Sequence, residues 1–244
     1  EVITPPNSFI ASTAVIVHLG AKPIFADVQD DQLIDPERIE ACITEKTKAI
    51  MPVHLTGRMC DMESIMKISE KYNIPVIEDA AQSIGSLYKG KPAGSIGHIG
   101  CFSGHPLKNL NAFGDAGYLT TNDSDVADKL RSLSNHGMVE RNVVESFGYV
   151  SRMDNLQAGI LNYHINKIDK IIAQRRANAD LYKELLNKDY VYFPKSDDNN
   201  FDTYHTFIIQ VDKRSKLVTY LEAKGIQTSI HYPIPIHLQP AAKY

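Results

Sequence analysis

The sequence predicts an α/β fold. A large domain is built on a mostly parallel mixed sheet with helices on both faces, and a smaller α+β domain that is cut short follows it. Two observations carry this expectation. Short runs rich in Val and Ile recur between longer segments of helical periodicity, the alternation from which parallel sheets are wound. The chain also has the material to bury such a sheet: 244 residues, 43% hydrophobic and 23% charged, an ordinary globular balance.

The elements read in order as follows. "EVITPPNSF" is a strand running straight into a helix, and "SFIASTAVIVHLG" is helical up to Gly20, a plausible C-cap. "KPIFADV" is a short apolar strand. "DPERIEACI" opens a helix with Asp35 as N-cap, Pro36 at the first helical position and Glu37 behind it. "TKAIMPVHL" is a strand, and "DMESIMKISEKYN" a helix with Ile65, Ile68 and Tyr72 on one face. "IPVIEDA" is a strand ending at Asp79. A glycine-rich turn region and the strand "IGCF" lead to Lys108, and "GYLTTND" is a further strand. "SDVADKLRSLSNHG" is a helix capped by Ser124 or Asp125. One long helix is expected over 154–187, with Leu161, Ile165, Ile168 and Ile172 forming its apolar stripe. "PKSDDNNFDTYH" reads as a polar linker, then "TFIIQVD", "SKLVTYLEAKG" and "IQTSIHY" as strand, helix and strand. The expected units are 1–153, the connecting helix at 154–190, and 191–244.

Composition narrows the function classes. Formal net charge is −3 and no Lys/Arg stripe is present, which argues against nucleic acid, whose binding rests on phosphate neutralisation. The three cysteines lack C-x-x-C spacing, so neither a disulfide framework nor a metal site is implied. A reducing cytoplasm is the expected location. No apolar run approaches the roughly 20 residues that span a bilayer, and no membrane partner is expected. The chain starts without an initiator Met and stops at "HLQPAAKY", so it is expected to be a segment of a longer protein.

In open α/β sheets, ligands sit beyond the carboxyl ends of the strands. Asp79 and the Ser103–Lys108 loop fall at two such ends. A carboxylate and an amine meeting there suit pyridoxal phosphate: the lysine forms the Schiff base, and the carboxylate keeps the pyridine nitrogen protonated. The plainer alternatives are a solvated loop lysine, and an aspartate that caps "AAQSI". The glycines of "GKPAGSIGHIG" do not follow G-x-G-x-x-G and are explained by turns.

Read together, "GAKPIFADV", "TKAIMPVHLTGRMCDM", "IPVIEDAAQSIGSLYKGKPAGSIGHIGCFSGHPLKNLNAFGDAGYLTTND", "LSNHG", "GYVSRMDNLQAGIL" and "GIQTSIHYPIPIHLQP" resemble successive blocks of the DegT/DnrJ/StrS sugar aminotransferases. These are fold-type-I pyridoxal-phosphate enzymes acting on nucleotide-linked keto-sugars. The resemblance implies Lys108 as Schiff-base lysine, Asp79 as partner of the pyridinium, and Gln82 at the phenolic oxygen. It also implies Ser103 at the phosphate and Phe9 stacked on the ring, where the alternative for Phe9 is a core residue of the first helix. It further implies glutamate as amino donor and a homodimer.

Three weaker substrate positions are His105, Arg152 and His231. His105 is either a proton shuttle, a sugar contact or a loop histidine; Arg152 either binds phosphate or substrate or caps a helix. His54, His136 and His205 fall in family blocks and are read as structural. Val150 stands where the family commonly has an asparagine reaching the partner subunit's cofactor phosphate. Gly104 replaces a frequent phenylalanine, which is expected to enlarge the pocket or loosen its loop. The alternatives to transamination are a pyridoxal-phosphate sugar dehydratase, disfavoured by the presence of Lys108, and a non-catalytic or incomplete member.

Overall fold

A computed structural model describes residues 1–194 and 199–243. The first half of the chain alternates as expected: β1 (Val2–Thr4), α1 (Ala11–His18), β2 (Pro23–Phe25), α2 (Pro36–Ala41), β3 (Ala49–Ile50), α3 (Met62–Tyr72) and β4 (Ile77–Asp79). Local chemistry sets these boundaries. The Asp35 carboxylate accepts from the Glu37 N–H with Pro36 at the first turn, and the Asp61 carboxylate accepts from Ser64 N–H at the start of α3. At the end of α3, Asn73 takes the left-handed conformation that stops a helix (φ 53°). Helix α3 buries Met62, Ile65 and Ile68, while Tyr72 turns outward and donates its hydroxyl to Glu40.

The chain continues through β5 (Leu87–Tyr88), β6 (Lys91–Pro92), β7 (Ile99–Ser103), β8 (Gly117–Thr120) and α4 (Ser124–Ser134). The cap of α4 is Asp123, which accepts from the N–H groups of Asp125 and Val126, rather than Ser124 or Asp125. After it come β9 (Met138–Glu140), β10 (Val143–Val144), α5 (Asn155–Ile165), α6 (Ile168–Leu185), β11 (Asn200–Phe201) and α7 (Arg214–Ala223).

Strands β2, β1 and β3 pair in parallel, β4 pairs in parallel with β7, and β8 closes antiparallel on β7. Parallel bridges Ile50–Val76 and Val53–Asp79 join β3 to β4, so the sheet runs in the order β2-β1-β3-β4-β7-β8. Ile3, Ile34, Ile39, Ile50, Met62, Ile65 and Val76 form the buried core around it. Inside that core, the Cys60 N–H donates to Nδ1 of His54, so the ring proton sits on Nε2 and is donated to Glu78 Oε2 at 2.9 Å. Glu78 also accepts from the backbone N–H groups of Gly94, Ile96 and Gly97. One buried carboxylate therefore organises the loop ahead of β7.

Three expectations change. The single helix over 154–187 is two, because Asn166 and Lys167 interrupt it. The Asn166 side-chain amide donates to the Asn162 carbonyl and Lys167 N–H to His164 O, competing with the helical ladder. The stripe breaks with it: Leu161 and Ile172 are buried, whereas Ile165 is 51% exposed.

The polar "linker" falls partly outside the described residues, at 195–198, and its remainder is anchored. Strand β11 pairs antiparallel with β5, and Asp202 and Thr203 are buried. Finally, of the two strands expected in a small domain, 206–212 makes, among the described residues, only the Tyr192–Gln210 bridge, and 226–232 forms no strand. An apolar run becomes a strand only where a second edge is offered to it.

Candidate active site

Because β1, β3, β4 and β7 run parallel, their carboxyl ends share one edge of the sheet. Asp79 is the last residue of β4 and Ser103 the last of β7. Asp79 is half-buried and held from two sides. Its Oδ1 accepts from the Ala81 N–H at 3.1 Å, a local turn bond, and its Oδ2 accepts from the Ser12 hydroxyl at 2.6 Å. The capping alternative thus accounts for one carboxylate oxygen only. Ser12 lies in the first turn of α1, which brings that helix end over the sheet edge.

Lys108 is half-buried in the loop after β7. Burial lowers its amine pKa and the Asp79 carboxylate raises it, with burial winning. Gln82 is buried; its Oε1 accepts from Thr56 N–H at 2.7 Å and its Nε2 donates to the Tyr232 hydroxyl at 3.3 Å. Burial raises the Tyr232 pKa, Gln82 opposes this, and Asp79 adds to it. Phe9 is 56% exposed, its ring 6.1 Å from that of Tyr232. It is not a core residue of α1. Lys108, Asp79, Gln82 and Phe9 are thus brought together, directly or through Tyr232.

The other sequence candidates are less central. The Ser103 hydroxyl accepts from His105 N–H at 3.3 Å, while exposed His105 turns its Nδ1 onto Leu107 N–H. His231 is half-buried with its ring 5.2 Å from that of Tyr232. Arg152 is exposed ahead of α5 and, among the described residues, makes no hydrogen bond or ion pair with the cluster. Gly104 opens no space: a Cβ there would lie 3.0 Å from the Ala116 Cβ, with Leu161 behind it.

Sequence reasoning passed over Ser12 and Tyr232 and read His205 as structural. Burial, helped by the charges of Lys108, Arg175 and His231, pushes the His205 pKa down to about 3. Its Nδ1 is buried without a hydrogen-bond partner among the described residues. The segment reaches Lys108 because Thr203 is stitched in: its N–H donates to Gly57 O and its carbonyl accepts from Asn109. Arg175 in turn donates to the His205 carbonyl at 2.9 Å. Ser12 carried a usable signal, lying three residues after Phe9 on one helical face. His205 carried none, since its neighbours come from distant segments.

The family model described as the DegT/DnrJ/EryC1/StrS aminotransferase family matches residues 1–244. The chain belongs to this family. Among DegT/DnrJ/EryC1/StrS relatives, a pleiotropic regulatory protein of Geobacillus stearothermophilus is 43% identical over 98% of this chain and 66% of its own length. The UDP-2-acetamido-2-deoxy-3-oxo-D-glucuronate aminotransferase of Pseudomonas aeruginosa is 39% identical over 99% of this chain and 67% of its own. This family member therefore spans about two thirds of the length of the relatives it matches. A crystal structure of a DegT/DnrJ/EryC1/StrS aminotransferase from Brucella abortus superposes with a TM-score of 0.96, at 35% identity over 100% of this chain and 67% of that one. That of S. venezuelae DesV in complex with a ketimine intermediate gives 0.95, at 34% identity over 98% and 65%.

Proposed function

We propose that the protein transfers an amino group to a nucleotide-linked keto-sugar, with pyridoxal 5'-phosphate as cofactor and glutamate as donor. The observation that carries this reading is the convergence of two half-buried groups, Lys108 and Asp79, at the carboxyl edge of the sheet, with the Asp79 charge acting on the Lys108 amine. The donor set suits that cofactor: an amine made easier to deprotonate by burial, an oriented carboxylate, a buried amide, and an exposed aromatic ring beside them. When bound, the cofactor supplies an electron sink for the carbon that gains or loses the amine.

Lys108 would hold the cofactor aldehyde covalently and, once displaced by the incoming amine, carry the proton to and from the substrate carbon. Asp79 would keep a proton on the ring nitrogen. Gln82 would lie at the phenolic oxygen, Ser103 at the phosphate, and Phe9 against the ring face, a stacking contact of about 0.5–1.5 kcal/mol beyond area burial. His231 would face the sugar beside Tyr232, with His105 and Arg152 as outer substrate contacts. In this reading the protein works as a homodimer, and the exposed apolar residues Val15 and Val17 of α1, with Leu19 just after it, offer surface for it. The units 1–153, 154–190 and 191–244 are retained, the middle one as two helices.

The test is borohydride reduction of the full-length protein with pyridoxal phosphate, peptide mapping, and assay with glutamate on a panel of nucleotide keto-sugars. The label is expected on Lys108, with amino-sugar as product, and Lys108→Ala abolishes both. Label on another lysine, or ketone loss without amine gain, contradicts the proposal. The relative described as a regulatory protein favours one second reading, a non-catalytic member. That reading predicts no label at all.

A further inference from the structure

Asp79 is held by a hydroxyl that its own strand does not supply. Ser12 comes from α1, 67 positions earlier, and its Oγ lies 2.6 Å from Asp79 Oδ2. Both Ser12 and Ser8 are buried, 5% and 3% exposed. Each hydroxyl has one proton to give. For Ser12 the acceptors are Asp79 at 2.6 Å and the Phe9 carbonyl at 3.3 Å, and a short bond to a carboxylate is the stronger. The Ser12 oxygen lies 2.9 Å from the Ser8 hydroxyl, whose single proton has two acceptors at that distance, Ser12 Oγ and the Phe9 carbonyl. Ser12 does not spend its side chain capping its helix, since the α1 cap residue, Ile10, has no side-chain bond and Ser12 stands in the first turn. The same turn carries Phe9, whose carbonyl accepts from the Ser12 N–H at 3.3 Å. One backbone turn therefore fixes an aromatic ring and a carboxylate relative to each other.

We propose that Ser12 is a positioning residue for Asp79, setting the plane in which the carboxylate meets the ring nitrogen of the cofactor. The proposal rests on the pyridoxal-phosphate reading above. Its signature is dependence: whatever Ser12 contributes to cofactor binding passes through the carboxylate and vanishes when the carboxylate is gone.

The experiment measures pyridoxal phosphate dissociation constants, from the absorbance of the lysine-bound cofactor, in the full-length protein. The variants are Ser12→Ala, Ser12→Thr, Asp79→Asn and the double variant Ser12→Ala/Asp79→Asn. Ser12→Ala is expected to weaken binding about tenfold, the size of one hydrogen bond to a charged group. Ser12→Thr keeps the hydroxyl and restores it to within about twofold of the parent, by the same hydrogen-bond accounting. In the Asp79→Asn background, Ser12→Ala adds nothing. Should Ser12→Ala fail to fold, Ser12→Cys has the same shape with a weak donor and carries the same dependence on Asp79. An equal loss with and without the Asp79 carboxylate, or parental affinity in Ser12→Ala, overturns the proposal alone. A parent protein that shows no lysine-bound cofactor overturns the cofactor reading and this proposal with it.

Discussion

Arg58 and Asp202 lie 144 positions apart and meet in a buried ion pair, Nε and Nη2 of the guanidinium donating to one carboxylate oxygen at 3.0 and 2.9 Å. Their side chains are 11% and 5% exposed. The pair ties the segment that carries His205 to the turn ahead of α3, so the surroundings of Lys108 depend on it. Asp202→Ala leaves the guanidinium buried without its hydrogen-bonding carboxylate, and about 3–5 kcal/mol of stability should be lost. Urea denaturation measures this. The apolar pair Arg58→Met/Asp202→Leu should recover most of the loss, and equal damage from both variants would refute the unpaired-charge explanation.

Gly57 makes the same junction possible. Its φ is +91°, and a Cβ there would lie 2.7 Å from Thr203 Oγ1 and 2.9 Å from the Tyr204 nitrogen. Gly57→Ala combines left-handed backbone strain with that clash and should cost at least about 1 kcal/mol. Limited proteolysis should show new cleavage near 199–205. A variant as resistant as the parent would mean the junction is slack.

Half-buried His205 and buried Glu78 both make stability fall with acidification, in different windows. The His205 pKa is about 3 against an ordinary histidine value of 6.5. The unfolded chain therefore binds the proton first, and stability drops as pH falls from about 6.5 towards 3, by at most about 1.4 kcal/mol per unit for one proton. His205→Gln should flatten urea midpoints between pH 6.5 and 5; an unchanged slope there would count against the assignment.

Glu78 behaves differently. Burial raises its pKa, but the bonds from His54, Gly97 and Gly94 outweigh burial and leave it below the ordinary glutamate value of 4.5. Its contribution is complete above that value and is lost as pH falls through the lower folded value. Glu78→Gln should therefore lower stability at neutral pH by roughly 1.5–3 kcal/mol and remove part of the slope below pH 4.5. If the variant keeps the parental acid slope, Glu78 is not its source.

The thiols should divide sharply. Burial raises the Cys60 pKa strongly, and burial with the nearby Asp79 and Glu78 charges pushes Cys101 up to about 12. At pH 8 neither supplies thiolate, so half-exposed Cys42 is the expected first site for a disulfide reagent. Labelling with mass analysis decides it; fast modification of Cys101 would show that the sheet edge opens.

Much of the first half of the chain was legible because the signals are local. Asp35 and Pro36 start a helix by contacts within two residues, and Asp79 falls at a strand end that "IPVIE" announces. Errors arose where a distant or competing partner decides. The Asn166 amide breaks a helix whose stripe looked continuous, and among the described residues "IQTSIHY" has no strand to pair with. The polar "NNFDTYH" reads as linker until β5, Gly57 and Arg58 are placed beside it.

From sequence alone came Asp79 and the Ser103–Lys108 loop at strand ends and, through the family resemblance, Gln82 and Phe9 as further candidates. Tertiary structure alone brought Ser12 to Asp79, Tyr232 to Gln82, and His205 into the field of Lys108. The physical reason is range. Caps and periodicity act over a few residues, whereas burial and electrostatic coupling depend on which remote segments the sheet order lays against each other.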